Sequence, residues 1–160
     1  MIPSAAPMQS QQQHDFAVGV FGSVVVVVWR GAVTSEAVSA VESVLERTAA
    51  RSSQPIAFIT VAQFKAPVPA TEVRERIVKC YRRLGTKLGC VAQVVEGEGF
   101  WACGARCFIA GIGLLAKQER PMSVFGEVLP ALEWTARSLP ASVDQSAVVN
   151  GLGELRRRVA

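Results

Sequence analysis

Apolar residues in this chain fall into short unbroken runs, separated by longer stretches in which they recur every three or four positions. Val24 to Trp29 is a continuous β-branched run ending in an aromatic. Before it come Phe16, Val18 and Val20, alternating with smaller residues, and a Gly22-Ser23 turn. That pattern predicts a hairpin whose second strand is buried on both faces and is therefore central in a sheet. Val38, Val41, Leu45 and Thr48 then recur at helical spacing, with Thr34 as N-cap and Glu36, Glu42, Glu46 and Arg47 on other faces. Ile56 to Val61 is a third strand, and Pro67 and Pro69 keep the stretch after it irregular. Thr71 is the expected cap of a second helix, whose apolar face is Val73, Ile77, Cys80, Tyr81 and Leu84 and which ends at Gly85. Leu88 to Val95 predicts a fourth strand and Pro121 to Phe125 a short fifth. A helix from Glu127 to Leu139 follows, through Val128, Leu132, Trp134 and Thr135.

Between the last two strands lies the most apolar stretch. After Glu96-Gly97-Glu98-Gly99, the only charge from Phe100 to Ala116 is Arg106. A helix over 99–117 that is apolar around most of its circumference must be buried on more than one side. Arg106 at mid-span and glycines at 99, 104, 111 and 113 argue against a membrane span.

The resulting order, β-β-α-β-α-β-α-β-α, predicts an α/β fold: a single five-stranded mixed sheet, antiparallel only at the opening hairpin, with helices packed on it. The expected organisation is a flexible, Gln-rich leader over 1–15, one α/β domain over 16–139 and a tail over 140–160. In the tail, Val148, Leu152, Leu155 and Val159 have a helical period that Gly151 and Gly153 weaken.

This element order over residues 16–139 resembles the SpoIIAA-like and STAS group, whose members share a four- or five-stranded sheet with helices packed on it. The resemblance implies regulatory binding of another protein. In the STAS anti-sigma-factor antagonists the functional mark is an Asp-x-Ser-Gly-type segment after the third strand, at the start of the next helix. The matching segment here is Phe64-Lys65-Ala66-Pro67-Val68-Pro69-Ala70-Thr71. It has no Asp, Ser or Gly, and Thr71 alone offers a hydroxyl, so it is the candidate regulatory position.

Composition narrows the function further. With 160 residues, half of them hydrophobic and 19% charged, the chain can bury a core and does not have the make-up of a disordered one. A net charge of +4 is mild and argues against nucleic acid as the partner. The N-terminal residues carry no basic and apolar regions of a signal peptide, so Cys80, Cys90, Cys103 and Cys107 read as reduced, buried thiols of a cytoplasmic protein.

Candidate chemistry is sparse. The single histidine, His14, lies in the leader, and no serine or cysteine occupies a nucleophile turn, so no catalytic residue is assigned. Gly97-Glu98-Gly99-Phe100-Trp101-Ala102 matches G-x-G-x-x-A between a strand and a helix. A carboxylate and two bulky rings stand where a pyrophosphate needs close backbone approach, and only one strand follows. Cys103 and Cys107 share a helix face without a further ligand pair at metal-binding spacing. No cofactor or metal is expected.

What remains is surface. Arg76, Lys79, Arg83 and Lys87 fall within a stripe of roughly 80° on the second helix, with Glu72–Arg76 and Glu75–Lys79 placed to neutralise it at i,i+4 spacing. That stripe, with Phe100 and Trp101, is the candidate partner surface, and a homodimer is one way of covering the central helix. The sequence therefore points to a non-enzymatic regulatory module that binds another protein. The alternative is a small-ligand or lipid-binding domain that uses the apolar helix 99–117 and the basic stripe of helix 71–84.

Overall fold

The computed structural model of the chain describes residues 15–63, 66–98, 102–107 and 120–160. Strands β1 (Phe16–Phe21) and β2 (Val24–Trp29) lead into helix α1 (Ser35–Arg51). Strand β3 (Ile56–Ala62), helix α2 (Thr71–Leu84), a 3₁₀ turn (Gly85–Lys87) and strand β4 (Leu88–Val95) follow. A helical segment over 102–107 (α3) precedes β5 (Met122–Phe125), α4 (Val128–Ser138) and α5 (Gln145–Val159). The remainder of the helix expected over 99–117, and the leader 1–14 with His14, lie outside the described residues.

The strands form one five-stranded sheet in the order β1-β2-β3-β4-β5. Only the β1–β2 pair is antiparallel; β2–β3, β3–β4 and β4–β5 are parallel. The hairpin closes through two residues, with Gly22 at the first turn position in the positive-φ region (φ 63) that a side chain disfavours.

All six residues of β2 are buried, because the strand is paired on both edges and covered on both faces. Val24, Val26 and Val28 join Ile59, Val61, Ala92 and Val94 under Ala131 and Leu132 of α4 and Val148, Leu152 and Leu155 of α5. Val25, Val27 and Trp29 join Phe58 and Val91 under Val41 and Leu45 of α1 and Cys80, Tyr81 and Leu84 of α2. Each such side chain removed from water contributes on the order of 1.5–3 kcal/mol, which makes these two layers the main source of stability.

Local chemistry sets the element ends. Thr34 Oγ1 accepts from the Ala37 amide at 3.1 Å to cap α1, and Asp144 Oδ1 accepts from Ala147 at 3.1 Å to cap α5. Arg120, 5% exposed, donates to the carbonyls of Tyr81 (3.0 Å), Gly85 (3.0 Å) and Leu88 (3.1 Å). It supplies the donors that the end of α2 lacks and sits at the negative end of that helix's dipole. Arg30 Nη1 donates to the Val159 carbonyl at 2.7 Å, tying the last turn of α5 to the exit of β2. Among the described residues, no helix is long and apolar enough to cross a membrane.

The two glycines of α5 behave differently. A Cβ on Gly151 would lie 2.0 Å from the Phe21 ring, so the helix rests on that ring through a residue with no side chain. A Cβ on Gly153 would meet nothing nearer than Arg157 Nη1 at 3.9 Å. Thermal denaturation of the two alanine variants should therefore give opposite signs. Gly153→Ala is expected to stabilise by up to about 1 kcal/mol from helix propensity. Gly151→Ala is expected to destabilise by about 1–3 kcal/mol from overpacking.

Candidate functional site

Trp29, Ala62 and Val95 are the last residues of β2, β3 and β4, and they point to the same side of the sheet, toward α1 and α2. α1 and α2 diverge above them, and the segment 66–69 closes the gap from outside. The space between is a cavity of about 100 Å³. Its walls are largely apolar: Val38, Val41 and Leu45 from α1, Ile77 and Cys80 from α2, Phe58 from β3, and Ala66, Pro67 and Pro69 from the covering loop. Because the strand order never reverses, the sheet has no switch-point crevice of the kind that holds a dinucleotide. The opening lies instead between the helix layer and the sheet.

The floor is polar. Thr60 and Gln93 are register partners on β3 and β4, and the Thr60 hydroxyl donates to Gln93 Oε1. Gln93 Nε2 donates to the Tyr81 hydroxyl at 3.5 Å, and Tyr81, 2% exposed, is wedged edge-on against Phe58 with ring centroids 6.3 Å apart. Burial, the largest influence, raises the Tyr81 phenol above its ordinary value and keeps it protonated. Burial likewise raises the neighbouring Cys80 thiol to about 11, with the Glu42 carboxylate adding to the effect.

Glu42 is the charged residue of the rim. It was expected on an outer face of α1, yet it is only 9% exposed and takes the Arg76 guanidinium in a two-pronged contact at 3.2 and 3.3 Å. Arg83 reaches Glu42 at 3.6 Å and Glu46 at 2.6 Å. The expected neutralisation of Arg76 within α2 by Glu72 is replaced by pairing across the α1–α2 seam. A carboxylate so far from water requires a partner, whereas an exposed i,i+4 pair contributes only a few tenths of a kcal/mol.

The other sequence candidates separate. Lys79 and Lys87 are exposed, with no ion pair to either among the described residues. Phe100 and Trp101 lie outside the described residues. Thr71 does not cap α2. Ala70 is the cap position, its carbonyl accepting from the Arg74 amide at 3.0 Å, and Thr71 is already the first helical residue. Its hydroxyl accepts from Arg74 Nη2 at 2.8 Å instead, and it is exposed. The Gly97 turn (φ 104) is held by Arg106, which donates to the carbonyls of Val95 (3.0 Å) and Gly97 (2.9 Å), while Glu96 pairs with Arg156. Residues 99–101 of the glycine motif lie outside the described residues.

The cavity's floor was not singled out from sequence. The signal for it was present: Gln93 and Thr60 are polar interruptions in otherwise apolar strands, and register brings them together.

The fold has a solved counterpart. No family model matches the chain, and no curated protein matches it. A crystal structure of an uncharacterized protein from the DUF3478 family, from Shewanella loihica PV-4, superposes with a TM-score of 0.55 at 16% identity, covering 75% of this chain and 93% of that one. That structure is described as having a SpoIIAA-like fold. The chain is thus an α/β domain of SpoIIAA-like fold.

The thiols divide against expectation. Cys80 and Cys90 are buried, but Cys103 and Cys107 are exposed, because α3 buries Ala102 and Ala105 and turns the two cysteines to the opposite side. A thiol reagent at neutral pH should therefore label Cys103 and Cys107 quickly and reach Cys80 and Cys90 only on unfolding. Folded Cys80 and Cys90 titrate near 11, while an unfolded thiol titrates near about 8.5. The unfolded chain loses these protons first, so urea melts should show stability falling between those values as pH rises.

Proposed function

We propose that the chain is a non-enzymatic, cytoplasmic regulatory module that acts by contacting another protein. The contact runs along the edge formed by the 66–70 loop and the exposed side of α2. Exposed Val68 carries this reading: a large apolar side chain, 48% exposed, on a loop stiffened by Pro67 and Pro69. The loop occupies the place, after β3 and before α2, that carries the regulatory segment in the STAS proteins the sequence resembles. The outer parts of Arg76 and Arg83, with Lys79 and Lys87, carry the contact away from the loop along α2 and the turn after it, Thr71 lies where the loop meets the helix, and Phe100 and Trp101 remain sequence candidates for the same contact. The partner is another protein, with a second copy of the chain as the simplest case.

Val68→Asp tests this. An exposed substitution leaves the folding stability within about 0.5 kcal/mol of wild type. The expected result with tagged full-length protein in cell extract is a specific co-purifying protein that Val68→Asp loses. Unchanged recovery by the variant sinks the assignment of the contact to this loop. Thr71→Ala and Thr71→Glu should recover the same partner as wild type; capture by only one of them would identify Thr71 as a charge-sensitive switch.

The cavity beneath the same loop favours a second function, small-ligand binding. The pocket between α1, α2 and the sheet, lined also by Ala105 of the apolar segment 99–117, would hold the ligand, and the basic stripe of helix 71–84 would not.

A further inference from the structure

The geometry points to a small, neutral, single-ring or similarly compact apolar ligand with one oxygen acceptor, seated in the α1–α2 cavity and hydrogen-bonded by the Tyr81 hydroxyl. This rests on the cavity being a ligand site, the second function above.

Three observations define the chemistry. The first is size. A buried apolar cavity of about 150 Å³ takes benzene, and this one, about 100 Å³ with a loop for a lid, is on the scale of a single ring. The second is charge. Glu42 is the one charged side chain among its described lining residues, which include no lysine or arginine. An anionic ligand would lose its hydration and, among the described lining residues, meet only the Glu42 carboxylate, which already engages its arginine partners. The Cys80 thiol, raised to about 11, and the Tyr81 phenol both stay neutral and add no charge.

The third is an unused donor. Thr60 donates to Gln93, and Gln93 donates to Tyr81, so the hydrogen bonds run toward the phenol oxygen. Among the described residues, no hydrogen bond takes the phenol's own proton. In an apolar enclosure such a donor favours a ligand oxygen, because the alternative is an unmatched polar group. Gln93 fixes the phenol and Phe58 holds its ring edge-on, so the donor is set in place before any ligand arrives. The covering loop contributes Ala66, Pro67, Val68 and Pro69 to the wall, and a ligand must pass or displace it.

The test titrates labelled full-length protein with phenol, toluene and benzoate, following amide chemical shifts. Phenol and toluene have the same shape, but phenol gives up more hydration on burial, so without a partner for its oxygen phenol binds more weakly. The expected result is saturable binding of phenol at least as tight as toluene, with shifts centred on Thr60, Tyr81 and Gln93, and no binding of benzoate. Tyr81→Phe, with its melting temperature checked, should weaken phenol roughly three- to ten-fold and leave toluene unchanged. Ala62→Leu, which fills the mouth, should weaken both.

Toluene binding more tightly than phenol to wild type would overturn recognition by Tyr81 and leave the cavity a ligand site. Benzoate binding as tightly as phenol would overturn the neutral class. No saturable response to phenol or toluene, or phenol binding unchanged in Ala62→Leu, would overturn the site itself.

Discussion

The structure depends on one constraint: β2 is apolar at every position, so it must be covered on two faces and paired on two edges. Alternate valines point to opposite sides, and neither side can be left to water. β1 and β3 take the edges. α1, which immediately follows β2, shares one face with α2, while α4 and α5, drawn from the end of the chain, take the other. Arg30 completes the arrangement by holding the end of α5 at the exit of β2. The candidate site is placed by this two-layer solution.

The cavity follows from it. Successive parallel strands are added in one direction, so the first two crossover helices, α1 and α2, lie side by side on one face. They meet closely where Glu42, Arg76 and Arg83 join them, and space remains beside that junction over the carboxyl ends of β2 to β4. The ion pairs thus fix the spacing of the helices rather than presenting a basic face. The 66–69 segment is shared: all four residues line the cavity, and Val68 is at the same time largely open to solvent. A molecule inside and a protein outside would act on the same few residues, which gives the two proposed functions a physical connection.

Legibility from sequence tracked how local each determinant was. Strands and helices were readable because each is set by its own periodicity: the unbroken run of β2, the 3.6-residue rhythm of α2, the turn at Gly22. Thr34 was a correct cap because its position relative to the next apolar residue decides it. Thr71 was not, since Arg74 draws its hydroxyl away and Ala70 takes the half-turn before it. Pairings between elements were hidden for a stronger reason. Nothing on α1 alone marks Glu42 as inward-facing until α2 lies beside it with two arginines. Likewise, the polar floor exists only once register sets Thr60 beside Gln93 and helix packing brings in Tyr81. Gly151 was read as a weakness of α5, whereas its missing side chain is what admits Phe21.

The origin of the two covers has a consequence for how the chain comes into being. The layer on one side of β2 begins with α1, which is synthesised soon after it, but α4 and α5 follow only after β3, α2, β4 and β5. Until they leave the ribosome, Val24, Val26 and Val28 present an open apolar strip of high β-propensity with low charge, the kind of segment that recruits other strands. The growing chain therefore carries a sticky surface while the rest of the sheet is being made. Premature termination between β5 and α4 would yield a product with that strip bare. Such a product is a natural client for chaperones and a seed for aggregation, even though all five strands have been made.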